Sequence, residues 1–100
     1  MVVKAVRGRR RYIAFTLDSD LDRNALIAKL QELKGEDIPY VVQCSEGWAI
    51  IRTFPDRTES TIALMSEACV NSRPLSTSGT LKTLRSRYPR LQETRPPRRK

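Results

Sequence analysis

Two short β-rich runs near the middle of the chain, Tyr40-Val41-Val42-Gln43-Cys44 and Trp48-Ala49-Ile50-Ile51-Arg52-Thr53-Phe54, are parted only by Ser45-Glu46-Gly47. So short a Gly-containing connection joins strands as antiparallel neighbours, which fixes a hairpin at the centre of the fold. What flanks it is helical. On the N-terminal side Leu26, Leu30 and Leu33 recur at i, i+4, i+7, with Leu21 and Ile27 widening the apolar face and Gly35 as terminator. On the C-terminal side Ile62, Met65 and Cys69, with Leu64 and Ala68, form a second apolar face. Asp56 and Glu59 have capping-box spacing at its start.

Each helix is paired in turn with an outer extended segment. Residues 12–17 (Tyr12-Ile13-Ala14-Phe15-Thr16-Leu17) read as a strand that closes at Asp18-Ser19-Asp20 into a helix cap. Arg73-Pro74-Leu75-Ser76-Thr77 reads as a second, in which Pro74 permits only an edge or strand-start position. The order β-α-β-β-α-β is that of an α+β, ferredoxin-like split β-α-β sandwich, with two helices on one face of a four-stranded antiparallel sheet. Its other face is expected to be open. An additional C-terminal helix follows, capped by Ser78, with Leu81, Leu84 and Tyr88 inward and Pro89 as its stop. The expected organisation is a basic N-terminal lead over residues 1–8, one domain over 9–89 and a disordered Arg/Pro-rich tail over 90–100.

Charge is distributed unevenly over this plan. The net charge is +8, yet residues 12–81 hold ten acids against six bases. The remaining thirteen bases lie in residues 1–11 and 82–100, against one acid, Glu93. A slightly acidic middle with basic ends offers localised positive surface to a polyanion, and nucleic acid is the leading partner. A membrane surface is disfavoured, because no long amphipathic segment joins the basic residues to a broad apolar face. No apolar run approaches the roughly 18 residues of a bilayer span, and the N-terminus is too basic for a signal peptide, so a cytoplasmic location is expected.

Catalysis by the chain itself is disfavoured. There is no histidine, and the carboxylates fall at helix starts (Asp18, Asp20, Asp22, Asp56, Glu59) or in loops (Glu36, Asp37, Glu46), where capping and solubility account for them. Gly8, Gly35, Gly47 and Gly79 are isolated and make no phosphate loop. Acylphosphatases share the expected fold but need an Arg and an Asn about such a loop, and Asn24 and Asn71 have no such setting. Cys44 and Cys69 form no Cys-x-x-Cys pair, so no zinc site or disulfide is indicated and both are expected as small buried hydrophobes.

Two segments carry binding chemistry. Strand alternation puts Trp48, Ile50, Arg52 and Phe54 on one face, in partial resemblance to the stacking strand of RNA-recognition motifs, but Ile50 stands where a second aromatic would. An apolar patch of Tyr12, Trp48 and Ile50 on the open sheet is therefore assigned first to a protein interface, with single-stranded RNA and core packing as alternatives. In Ser78-Gly79-Thr80-Leu81-Lys82-Thr83-Leu84-Arg85-Ser86-Arg87-Tyr88, helix-start amides, a small glycine and Lys82 form a phosphate-binding corner, extended by outward Arg85 and Arg87. The plainer alternative is that Ser78 serves only as an N-cap.

This last segment, the basic strand start Arg9-Arg10-Arg11-Tyr12-Ile13 and the strand Gly47-Trp48-Ala49-Ile50-Ile51-Arg52 together resemble protein component 2 of archaeal ribonuclease P and its eukaryotic counterpart. The resemblance spans roughly residues 9–88. The Ser-Gly-Thr-x-Lys element and the arginine-tyrosine strand start are its most specific marks. It implies a ferredoxin-like, non-catalytic subunit that binds the ribonuclease P RNA and supports removal of 5′ leaders from precursor tRNA. The RNA would hold the magnesium ions and the protein no cofactor. Implied partners are protein component 3, a TIM-barrel-like subunit, and a second copy of the chain within a heterotetramer. RNA contacts are then expected at Arg9, Arg10, Arg11, Ser78, Gly79, Thr80, Lys82, Arg85 and Arg87. The rival expectation is a general RNA-recognition or ribosomal-type module with no role in cleavage, and a small hydrolase is a distant third.

Overall fold

A computed structural model describes residues 10–17, 21–35 and 38–94. Arg9, the lead before it, the acids of 18–20 and 36–37, and the tail from residue 95 lie outside the described residues. The elements run β1 (Arg11–Thr16), α1 (Arg23–Lys34), β2 (Tyr40–Ser45), β3 (Trp48–Thr53), a 3-10 turn (Pro55–Arg57), α2 (Thr58–Ala68), β4 (Arg73–Ser78), α3 (Leu81–Arg87) and α4 (Pro89–Glu93). The four strands form one antiparallel sheet in the order β2-β3-β1-β4. This is an α+β domain compatible with a split β-α-β arrangement, and no described helix is long and apolar enough to cross a membrane.

The hairpin forms as its sequence dictates, but its loop is two residues long. Ser45 pairs with Trp48, and Glu46 and Gly47 both take positive φ, 53° and 83°. That sign at both central positions matches a type I′ turn, whose twist suits the flanking strands. Pro74 sits in β4, an edge strand, where its missing amide hydrogen is tolerated. The capping details differ from the sequence reading. Asp22 caps α1 through a 2.8 Å bond from the Ala25 amide, and the cap expected at 18–20 lies outside the described residues. Asp56 lies inside the 3-10 turn and makes no capping box. Arg57 is the N-cap of α2 without a side-chain bond, and the Ser60 and Thr61 hydroxyls instead donate back to the Arg57 carbonyl.

Period-2 alternation sends the strand residues into two separate cores. On one face Ile13, Phe15, Ala49 and Ile51 meet Leu26 and Leu30 of α1 and Leu64 and Met65 of α2. Leu33, expected on this face, is 46% exposed, since the helix has by then turned its last apolar position toward solvent. On the other face Ala14 and Ile50 meet Leu84 of α3 and Leu91 of α4, with Tyr12, Val42, Trp48 and Tyr88 packed around them.

The second face is therefore covered, not open. Pro89 does end α3, but as the first residue of α4, where the absent amide hydrogen costs nothing. Residues 90–94 accordingly belong to the folded body instead of a tail, and Leu91 is fully buried. Leu84, Tyr88 and Leu91 stand at i, i+4, i+7, a spacing that a proline between them obscures. The β2 register shifts between Val41 and Gln43. Gln43 is buried there, donating to the Leu91 carbonyl at 2.9 Å and to Thr94 Oγ1 at 3.2 Å.

Candidate nucleic-acid interface

The first consequence of the β1–β4 pairing is that it joins the two basic ends of the described chain. Tyr12 stands opposite Ser78, so Arg11 reaches the turn that leads from β4 into α3. A β-carbon built on Gly79 would lie 3.2 Å from Nη1 of Arg11, so the guanidinium rests against the glycine's open side. Exposed Arg10 precedes it, and exposed Lys82 follows in the first turn of α3. Lys82, Thr83, Ser86 and Arg87 line a shallow depression on the outer side of that helix.

None of Arg10, Arg11, Lys82 and Arg87 has a carboxylate within ion-pairing reach among the described residues, whereas Arg90 is paired with Glu46 at 2.6 Å and Glu93 at 3.0 Å. Those hydrogen bonds, first the one donated to Glu46, hold the Arg90 guanidinium still more firmly charged than an ordinary arginine. Arg10, Arg11, Lys82 and Arg87 thus carry positive charge that no carboxylate among the described residues pairs with. Arg87 also donates to Ser76 Oγ at 2.7 Å, which fixes its direction along β4.

Other expected site residues take different roles. Ser78 ends β4 and is not the helix cap; its hydroxyl accepts from the Thr80 amide at 3.3 Å. Thr80 is the cap, with Oγ1 accepting from the Thr83 amide at 3.3 Å and bonded to Thr83 Oγ1 at 2.9 Å. That amide is consequently occupied, and α3 has only seven residues. Charge at this corner comes from side chains, Arg11 and Lys82, and not from free amides at the helix start. Arg85 is a further correction. It is half-buried and turned inward, donating to Gln43 Oε1 through Nε and Nη2, so it is separated from Lys82 instead of sharing an outer side with it.

No protein-family model and no curated protein matches this sequence.

The patch of Tyr12, Trp48 and Ile50 expected at a protein interface is occupied by the chain itself. Ile50 is fully buried beneath α3 and α4, and Trp48 packs against Tyr88 with ring centroids 6.2 Å apart at a 44° tilt. Core packing, one of the alternatives for this face, accounts for Ile50, while Tyr12 and Trp48 pack against that core and stay partly exposed. The sequence reading also missed Gln43 and the exposed aromatics Tyr40 and Phe54. A glutamine flanked by Val42 and Cys44 in a β-rich run was a readable sign of a buried polar group needing partners.

Proposed function

We propose that this chain is a non-catalytic, RNA-binding subunit of ribonuclease P with a ferredoxin-like fold, supporting RNA-catalysed removal of 5′ leaders from precursor tRNA. The observation that carries the RNA-binding reading is the placement of Arg11 against Gly79, which sets Arg10 and Arg11 beside the turn into the helix that carries Lys82, with no carboxylate in ion-pairing reach of them among the described residues. Cations so placed neutralise neighbouring phosphates and release condensed counterions, a source of affinity that needs no base-specific contact. The ribonuclease P assignment draws on the resemblance in 9–13, 47–52 and 78–88. The strand order β2-β3-β1-β4 is consistent with the ferredoxin-like topology.

The covered second face bears on the rival reading. An RNA-recognition module stacks bases on its exposed sheet, and here that sheet surface carries Leu84 and Leu91 instead. In the proposed complex the phosphodiester chemistry and its magnesium ions belong to the RNA, and the protein screens crowded phosphates. Protein component 3 and a second copy of the chain are its proposed protein partners. Copurification tests the assignment: the tagged chain should bring down one structured RNA that cleaves precursor tRNA at the 5′ leader junction. Recovery of ribosomal RNA or mixed messenger fragments would transfer the chain to the general RNA-binding class.

A further inference from the structure

Six aromatic side chains are present, and four of them pack into the two cores, Phe15 fully buried and Tyr12, Trp48 and Tyr88 partly so. Tyr40 and Phe54 belong to neither and stay 49% and 42% exposed. Both line one cleft of about 520 Å³, between the end of α1, the β2–β3 ends and α2. Among the described residues its charged lining is Lys34, Arg52, Arg57 and Glu67, three cations against one acid. The volume falls in the range of roughly 300–1,000 Å³ usual for small-ligand sites.

The charges are organised around the rings. Tyr40 faces Arg52 across the β2–β3 pair, with the Arg52 guanidinium carbon 4.6 Å from the ring centroid. Arg23 lies 5.3 Å from the same ring and is tethered by its Nε to the Val41 carbonyl at 2.8 Å. A guanidinium held against an aromatic ring keeps its N–H edge directed outward for phosphate. Arg52 has no carboxylate in ion-pairing reach among the described residues. Tyr40 is thus engaged by cations, and Phe54 is the ring left to take a base.

We propose that this cleft binds a single-stranded nucleotide segment, with a base stacked on Phe54 and the adjoining phosphates held by Arg52, Arg57 and Lys34. The inference rests on the RNA-binding reading and adds to it a contact of a different kind, with the flat face of an unpaired base instead of the backbone alone. Stacking of this sort tolerates any base. A protein that grips phosphates at the Arg11–Lys82 corner and an unpaired base here would favour RNA with a single-stranded stretch beside a structured one.

Fluorescence anisotropy with a labelled short oligouridine, alongside a stable RNA hairpin, tests this. Phe54→Leu should weaken oligouridine binding about tenfold. Phe54→Tyr, which keeps the ring, should stay within about twofold, and overlapping melting curves would show both variants folded. Arg52→Gln with Arg57→Gln should weaken binding and flatten its salt dependence. Wild-type affinity in Phe54→Leu overturns the inference. So does hairpin binding by the wild type without oligouridine binding, an outcome that leaves the RNA-binding reading intact. Displacement of oligouridine by polyglutamate as readily as by unlabelled RNA, with Phe54→Leu unaffected, would reduce the cleft to a general polyanion patch. Unchanged hairpin affinity in an Arg11→Ala, Lys82→Ala variant, with Phe54→Leu still defective on oligouridine, would remove the corner and keep the cleft.

Discussion

Gln43 Oε1 accepts two hydrogen bonds from the Arg85 guanidinium, at 3.2 Å from Nε and 2.7 Å from Nη2, while Gln43 Nε2 donates to the Leu91 carbonyl and to Thr94. One buried amide on β2 therefore holds both C-terminal helices to the sheet. Gln43→Leu would leave the Leu91 carbonyl and the half-buried Arg85 without these partners, at a cost of about 1–3 kcal/mol. For a domain of this size each kcal/mol moves the melting temperature by roughly 4–8 °C. Leu91→Ala should cost more, about 2–5 kcal/mol, through the lost burial and the cavity left behind. Calorimetric melting of both variants checks the order, and a Leu91→Ala variant with wild-type stability would mean that α4 contributes nothing to the core.

That layer is also where the sequence was least legible. Strands, the first two helices and their order follow from periodicities that local sequence carries: Leu26 and Leu30 one turn apart, Ile13 and Phe15 alternating with Ala14, Gly47 in the turn. The second core does not, because Pro89 breaks the spacing that links Leu84 and Tyr88 to Leu91, and the basic residues around Leu91 mask a single apolar anchor. Once α4 is missed, the sheet face above Trp48 and Ile50 looks open. The candidate site was legible in part. Local charge identified Arg10, Arg11 and Lys82, but their union depends on the long-range β1–β4 register. The inward turn of Arg85 likewise depends on its distant partner Gln43.

The two cysteines should differ in reactivity. Cys44 is 5% exposed, and half-buried Cys69 has its thiol pKa pushed up by burial, partly offset by Lys29. A raised folded pKa favours the neutral thiol in the native state. The resulting stability is fully present below the ordinary thiol range and is lost as pH rises through the folded value. Alkylation by iodoacetamide at pH 8, followed by mass spectrometry, should label Cys69 more slowly than in urea and Cys44 only after unfolding. Faster labelling of Cys44 than of Cys69 in the native protein would contradict the packing described.

Gly79→Val places a side chain where Arg11 Nη1 now rests. The obstacle is the far end of a flexible side chain, so Arg11 should swing aside with stability changed by less than about 1 kcal/mol. Arg11 then loses its phosphate, so affinity should fall and the salt slope of RNA binding should become shallower by about one contact, roughly 0.7–0.9. Filter binding across salt concentrations checks both, and retention of wild-type affinity would show that the placement of Arg11 at this glycine is irrelevant to RNA.

The joined basic surface is tested most directly by the salt dependence of binding to ribonuclease P RNA in the Arg11→Ala, Lys82→Ala double variant. Each phosphate contact contributes roughly 0.7–0.9 to the slope of log affinity against log salt. The double variant should bind more weakly at low salt, with a slope shallower by about 1.4–1.8 and a melting temperature close to wild type. A slope and affinity equal to those of the wild-type chain would contradict the account, since the two residues that unite the basic ends would then make no contact with RNA.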